Sequence, residues 1–129
     1  MKMQEELIEK AKEARKDAYA PYSDFKVGAA VLTRDGEIYT GCNIENSSYG
    51  LSICAERVAI FNAVSAGKSD LVAVALTADS KESVTPCGAC RQVIFEFNED
   101  MDVIMADLSG NVSTKSIDEL LWKGFSLKE

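Results

Sequence analysis

Leu71–Val–Ala–Val–Ala–Leu–Thr77 is a seven-residue run with no charge and no apolar/polar alternation. A strand with one wet face alternates, whereas an unbroken β-compatible run belongs to a strand covered on both faces. Covering both faces of a sheet takes helices on each side. The flanking sequence supplies them. Cys54 to Ala66 (C-A-E-R-V-A-I-F-N-A-V-S-A) has helical length, is apolar nearly all round and ends at Gly67, a C′ residue. It is therefore expected to be buried. Cys87 to Asn98 reads as another helix, with Val93, Ile94 and Phe97 on one side, and Val103 to Ala106 as a short strand.

Working outward, Gln4 to Ala18 sets Leu7, Ile8, Ala11, Ala14 and Ala18 at spacings of three and four, one apolar stripe on a helix that Pro21 closes. Lys26 to Thr33 and Glu37 to Cys42 flank Arg34–Asp–Gly36, and Asp-Gly between two strand-like runs signals a hairpin. Toward the other end a further strand is expected around Val112. Ser116–Ile–Asp–Glu119 then fits a capping box before Leu120 and Leu121. The predicted order is α-β-β-α-β-α-β-β-α. This is an α/β fold, a three-layer α/β/α sandwich around a mixed sheet, with one domain over residues 1–129.

The 47% apolar and 27% charged residues are an ordinary globular balance, which excludes disorder and fibrous repeats. Met1–Lys–Met–Gln–Glu–Glu6 contains no apolar h-region and no stretch reaches membrane-spanning length, so a cytoplasmic protein is expected. With 14 basic against 21 acidic residues the net charge is −7, which repels polyanions and points to a small substrate rather than nucleic acid or a membrane. The chain has no histidine, which removes Ser-His-Asp and Cys-His catalysis and every histidine-based zinc motif. Any metal must be held by cysteine or carboxylate.

There are four cysteines, Cys42, Cys54, Cys87 and Cys90. In a reducing compartment they read as thiols or metal ligands rather than disulfides. Cys54 and the Cys87/Cys90 pair fall at predicted helix starts, where the positive end of the helix dipole favours thiolate. Three converging anionic sulfurs need a cation, and three protein ligands leave zinc a fourth position for water. Three alternatives stand beside that reading. Cys42 could close the site as a fourth ligand of a structural zinc, Cys87–Gly–Ala–Cys90 could be a redox pair, and Glu56 could be an exposed first-turn acid. If Glu56 instead leans into the space beyond the helix start, it can pass a proton from a water to a leaving group. Zinc with three thiolates is net −1, so a positive group should compensate it. Arg57 is the nearest in sequence, and Arg91 is the second candidate.

Four segments, Ala20–Pro–Tyr–Ser–Asp–Phe–Lys–Val–Gly–Ala–Ala30, Gly41–Cys–Asn–Ile–Glu–Asn46, Ser52–Ile–Cys–Ala–Glu–Arg57 and Pro86–Cys–Gly–Ala–Cys–Arg–Gln92, together cause the chain to resemble the cytidine deaminases, in particular the short form with three cysteine ligands. The C-A-E and P-C-x-x-C elements alone indicate the wider zinc deaminase superfamily, and G-C-N-I-E-N narrows it to the nucleoside enzymes. The resemblance implies one zinc per chain on Cys54, Cys87 and Cys90. It also implies a proton shuttle at Glu56 while water replaces the amino group at C4 of cytosine, yielding uridine and ammonia in pyrimidine salvage. Asn43 and Glu45 then hold the ribose, Phe25 packs against the pyrimidine and Ala55 belongs to the substrate site. A homotetramer is implied as well, with Ser47, Tyr49 and Phe125 serving neighbouring sites. The family's C-terminal L-L-P-x-x-F pattern reads Leu120–Leu–Trp–Lys–Gly–Phe125 here. Trp122 is either an interface anchor or a lid over its own core. Two other functions stay open, a deaminase of a modified, blasticidin-type cytosine nucleoside and a non-catalytic domain closed around structural zinc by Cys42.

Overall fold

The computed structural model describes residues 2–80 and 84–128. In chain order it consists of α1 (Lys2–Arg15), β1 (Val27–Thr33), β2 (Ile38–Cys42), a single 3₁₀ turn (Tyr49–Leu51), α2 (Ala55–Ser65), β3 (Leu71–Ala78), α3 (Gly88–Phe97), β4 (Asp102–Ala106), β5 (Val112–Ser116) and α4 (Ile117–Leu120). The strands form one sheet in the order β2-β1-β3-β4-β5. The run that set the expectation, β3, is the central strand and is buried along almost its whole length. Its pairing with β4 is parallel, through the α3 crossover, and every other pairing is antiparallel. The sheet is mixed, as predicted.

Side chains alternate across this sheet and so make two cores. On one face Leu7, Ile8 and Ala11 of α1 pack on Ala30, Ala73, Ala75, Ile104 and Ala106. On the other, Ala59, Ile60, Ala63, Ile94 and Ile117 from α2, α3 and α4 pack on Ala29, Val31, Val74, Leu76, Val103 and Met105. Those are the three layers. Each fully buried Leu, Ile or Val contributes about 1.5–3 kcal/mol.

Two local expectations, at the first helix and at α2, are corrected. The first helix was predicted to reach Ala18 but stops at Arg15. The amides of Lys16, Asp17 and Ala18 bond the carbonyls three residues back, which tightens the end into a 3₁₀-type turn. The hairpin turns on Arg34–Gly36, the three residues expected between the two strands. Gly36 N–H bonds Thr33 O, Thr33 N–H bonds Glu37 O, and Gly36 takes φ +92°, a three-residue loop whose last position needs left-handed backbone. Finally, α2 is not buried all round, since Phe61 and Val64 are 42% and 37% exposed. A helix lying on a sheet buries one side only, so an all-apolar helix leaves some of its apolar surface outside the chain's own core. Its ends match the expectation, with Cys54 and Ala66 as caps and Gly67 and Lys68 N–H groups bonding Val64 and Ala63 carbonyls.

Gly41 sets the height of α2 above β2. A Cβ there would lie 2.4 Å from Ala59 N and 2.8 Å from Ala55 O, so the helix backbone rests directly on the strand. Gly41→Ala is expected to push α2 off the sheet at a cost of about 1–3 kcal/mol, lowering the melting temperature by roughly 5 °C or more. Because Cys54 caps this helix, its sulfur should shift in the same variant. An unchanged melting curve would mean that α2 can shift without strain.

Candidate active site

Two helix starts meet at one end of the sheet. Cys54 is the N-cap of α2, Cys87 is the N-cap of α3, and Cys90 lies in the first turn of α3. Ser, Thr, Asp and Asn are the residues that stabilise N-caps best, so two cysteines in this position signal chemistry rather than stability. The Cys54 and Cys87 sulfurs are 3.6 Å apart and the Cys87 and Cys90 sulfurs 3.4 Å apart, with all three inside 4.8 Å of one another. Sulfurs at about 2.3 Å from a tetrahedral zinc lie roughly 3.8 Å from each other. The donor set and its spacing fit zinc, whereas a disulfide bond requires sulfurs at about 2.05 Å.

The cluster is electrostatically prepared for a cation. Bonding from the Cys90 thiol, followed by the Arg57 guanidinium at 3.6 Å, lowers the Cys54 pKa to about 5. Cys90 moves the opposite way because Cys54 holds its proton and burial disfavours a second thiolate. The Cys90 N–H also points at the Cys87 sulfur at 3.4 Å. Arg57 thus lies against the Cys54 sulfur. Arg91 does not. Its Nε bonds Pro86 O at 2.8 Å and its Nη1 bonds Leu120 O at 2.7 Å, so its charge fastens the loop before α3 and the end of α4.

Glu56 occupies the second position of α2 and is only 3% exposed. Burial raises its pKa to about 7, reinforced by the Cys54 charge and opposed by its own backbone N–H and by the Cys90 thiol. The exposed first-turn acid is thereby ruled out. A carboxyl poised near neutrality can both accept and return a proton.

Chain segments far apart in sequence complete the wall. Past β2, Ile44 exchanges two backbone hydrogen bonds with Ile53, while the Tyr19 and Glu45 amides bond the Asn43 and Tyr19 carbonyls. That lacing holds Asn43–Glu45 beside Cys54. The resulting pocket has a volume of about 330 Å³ and is lined by Phe25, Asn43, Glu45, Cys54, Ala55, Glu56 and Cys87 among others. All the residues predicted for one nucleoside within one chain line it. The Asn43 amide accepts from Val27 N–H at 2.8 Å and donates to Phe25 O at 2.9 Å, which leaves one N–H and one lone pair. The Glu45 carboxylate accepts from Tyr22 N–H, Ser23 N–H and the Ser23 hydroxyl, and this bonding, with Ser23 foremost, lowers its pKa. Ser23 lines the pocket and was not foreseen. A serine in a turn looks the same in sequence whether or not it orients a carboxylate.

Ser47, Tyr49 and Phe125 lie outside this pocket. Ser47 Oγ is 2.5 Å from Tyr22 Oη, the Tyr49 ring meets the Tyr22 ring edge-on at 6.5 Å, and Phe125 is 66% exposed. Trp122 is 82% exposed with Lys123 Nζ over its ring, which overturns its reading as a lid over its own core. Cys42 is not in the sulfur cluster, and its pKa is raised by burial and by Asp17. The closed four-cysteine site is therefore ruled out. Cys42→Ser is expected to keep full metal content and turnover, and loss of bound zinc on metal analysis would bring the fourth ligand back.

Residues 1–106 match the family described as the cytidine and deoxycytidylate deaminase zinc-binding region. A cytidine deaminase from Sporosarcina psychrophila is 51% identical over 126 residues, 97% of this chain and 93% of that protein. A cytidine deaminase from Halalkalibacterium halodurans is 49% identical over 124 residues, 95% and 94% of the two chains. The crystal structure of cytidine deaminase from Burkholderia pseudomallei superposes with a TM-score of 0.91 at 47% identity, covering 94% of this chain and 98% of that one.

Proposed function

The chain belongs to the cytidine and deoxycytidylate deaminase family, and from that premise we propose that it hydrolyses cytidine and 2′-deoxycytidine to uridine and 2′-deoxyuridine with release of ammonia. The observation that carries this is Glu56, buried and poised near neutrality beside the three-sulfur cluster in a nucleoside-sized pocket. Residues 1–129 work as one such domain in the cytoplasm, in pyrimidine salvage.

Cys54, Cys87 and Cys90 would hold one zinc, which supplies the Lewis acidity that readies a water for attack. The Glu56 carboxylate takes a proton from that water as it adds to C4 of the ring. Protonated Glu56 gives that proton to N3, which takes the electron pair of the opened C4–N3 double bond; it then takes the proton of the new C4 hydroxyl and passes it to the departing amino group, so C4=O forms, the exocyclic C4–N bond breaks and ammonia leaves. Ala55, first in α2, has an N–H without an intrahelical partner and presents it to the pyrimidine edge. Phe25 supplies an apolar surface for the ring. Asn43 uses its spare donor and acceptor, and Glu45 its remaining lone pairs, to bind ribose hydroxyls.

The pocket also discriminates. Glu45 and Glu56 line it, and no lysine or arginine does so among the described residues. A phosphate would meet carboxylates without a basic side chain, which favours a neutral nucleoside over a nucleotide. Ser47, Tyr49 and Phe125 sit outside their own pocket, which supports a homotetramer in which neighbours share residues. No helix among the described residues is long and apolar enough to cross a membrane.

The test is ammonia release from cytidine, deoxycytidine, deoxycytidylate and a blasticidin-type nucleoside. The two nucleosides should be turned over, and the nucleotide should fall at least ~100-fold below them in kcat/KM. Preference for the nucleotide or the antibiotic would overturn the reading. Arg57→Ala should weaken zinc binding by about 10- to 100-fold, because a hydrogen bond to a ligand sulfur is lost. Competition with a chromophoric chelator reads this directly, and unchanged affinity would show that the helix dipoles stabilise the thiolates unaided.

A further inference from the structure

The C-terminal segment is fastened to α3 at several points, yet it buries little of its own apolar surface. Gln92, two residues beyond Cys90, uses both ends of its side-chain amide on one residue. Its Nε2 donates to Phe125 O at 2.7 Å, and the Phe125 N–H donates to its Oε1 at 3.3 Å. Arg91 Nη1 donates to the Leu120 carbonyl at 2.7 Å. Between these two anchors, a Cβ on Gly124 would lie 2.8 Å from Phe95 Cδ2 and 2.9 Å from Leu121 Cδ2, so the backbone of the segment presses on the α3 surface. Ordering a terminal segment costs conformational entropy that is ordinarily offset by burying its side chains. Here the rings of Trp122 and Phe125 point away from the chain's own core. The clamp holds the backbone and displays the side chains.

We propose that Gln92 is a positioning residue. It locks the Phe125 main chain to the helix that carries Cys90 and thereby presents the Phe125 ring, at a fixed place, to the substrate pocket of a second copy of this chain. This rests on the reading above, in which Phe125 serves a neighbouring site. Gln92 does not touch substrate. Its effect passes through Phe125 alone, so it acts on nucleoside binding and leaves the metal and the proton shuttle untouched.

The experiment is a double-mutant cycle on the zinc-loaded protein, with Gln92→Leu, Phe125→Ala and the double variant, measuring kcat and KM for cytidine together with zinc content. Gln92→Leu keeps side-chain bulk and removes both hydrogen bonds. Phe125→Ala should raise KM about 3- to 10-fold, the range of one aromatic contact. Gln92→Leu should raise KM by a comparable or smaller factor with kcat and zinc unchanged. The double variant should match Phe125→Ala alone. Gly124→Ala, which pushes the segment off Phe95 from the other side, should raise KM in the same direction. A raised KM in Phe125→Ala beside a normal KM in both Gln92→Leu and Gly124→Ala would overturn the clamp while leaving the shared-site reading intact. An unchanged KM in Phe125→Ala would overturn the shared-site reading itself and the clamp with it. Multiplicative effects in the double variant, or zinc loss in Gln92→Leu, would place the role of Gln92 somewhere other than Phe125.

Discussion

Glu56→Gln is expected to retain its zinc and its fold while losing turnover by about 10²- to 10⁴-fold or more, the usual contribution of a general acid-base group. Glutamine matches the shape of glutamate but cannot accept a proton. In the proposed mechanism proton transfers from the attacking water and to the departing amine both pass through this one carboxyl, so both steps should suffer. Burial already disfavours the charged form of Glu56 and puts its pKa at about 7, so the neutral amide is tolerated in its place and the fold should stand. KM for cytidine should change far less than kcat. Near-normal turnover at full zinc content would remove Glu56 from the chemistry.

The second large effect is expected at Cys90. It is fully buried in the first turn of α3, with its sulfur 3.4 Å from that of Cys87. Cys90→Ser leaves the α3 backbone intact, including the N–H that points at the Cys87 sulfur, and substitutes a hydroxyl for the sulfur. Zinc sites of four protein ligands bind with about 10–16 kcal/mol, so one ligand accounts for roughly 3–4 kcal/mol, or about 10²- to 10³-fold in affinity. The variant should purify folded with little metal, and its turnover should fall in proportion to metal content. Full turnover in zinc-free Cys90→Ser protein would show that the cluster is structural.

The parts of the molecule legible in sequence were those set by local patterns. Leu71–Thr77 announced a doubly covered strand, and Ser116–Glu119 announced a helix start. Glu119 does accept the Ser116 N–H at 2.9 Å. The cysteines at helix starts converge because α2 and α3 both begin at the same end of the sheet. What the sequence concealed depends on distant segments meeting. The guanidinium of Arg91 finds the Pro86 and Leu120 carbonyls rather than a sulfur, and only the folded chain brings Leu120 there. Ser23 reaches Glu45 across 22 positions. The exposure of Phe61, Val64 and Trp122 was equally hidden, since an apolar residue carries the same local signal whether it faces its own core or another chain.

The most direct measurement follows cytidine, uridine and bound zinc together in one preparation. With one zinc per chain the purified protein should convert cytidine to equal amounts of uridine and ammonia. Stripping the metal with a chelator should abolish conversion, and restoring zinc should return it in proportion to occupancy. Conversion that continues at full rate with the metal removed, or none at full zinc occupancy, would contradict a zinc-dependent nucleoside deaminase built on Cys54, Cys87, Cys90 and Glu56.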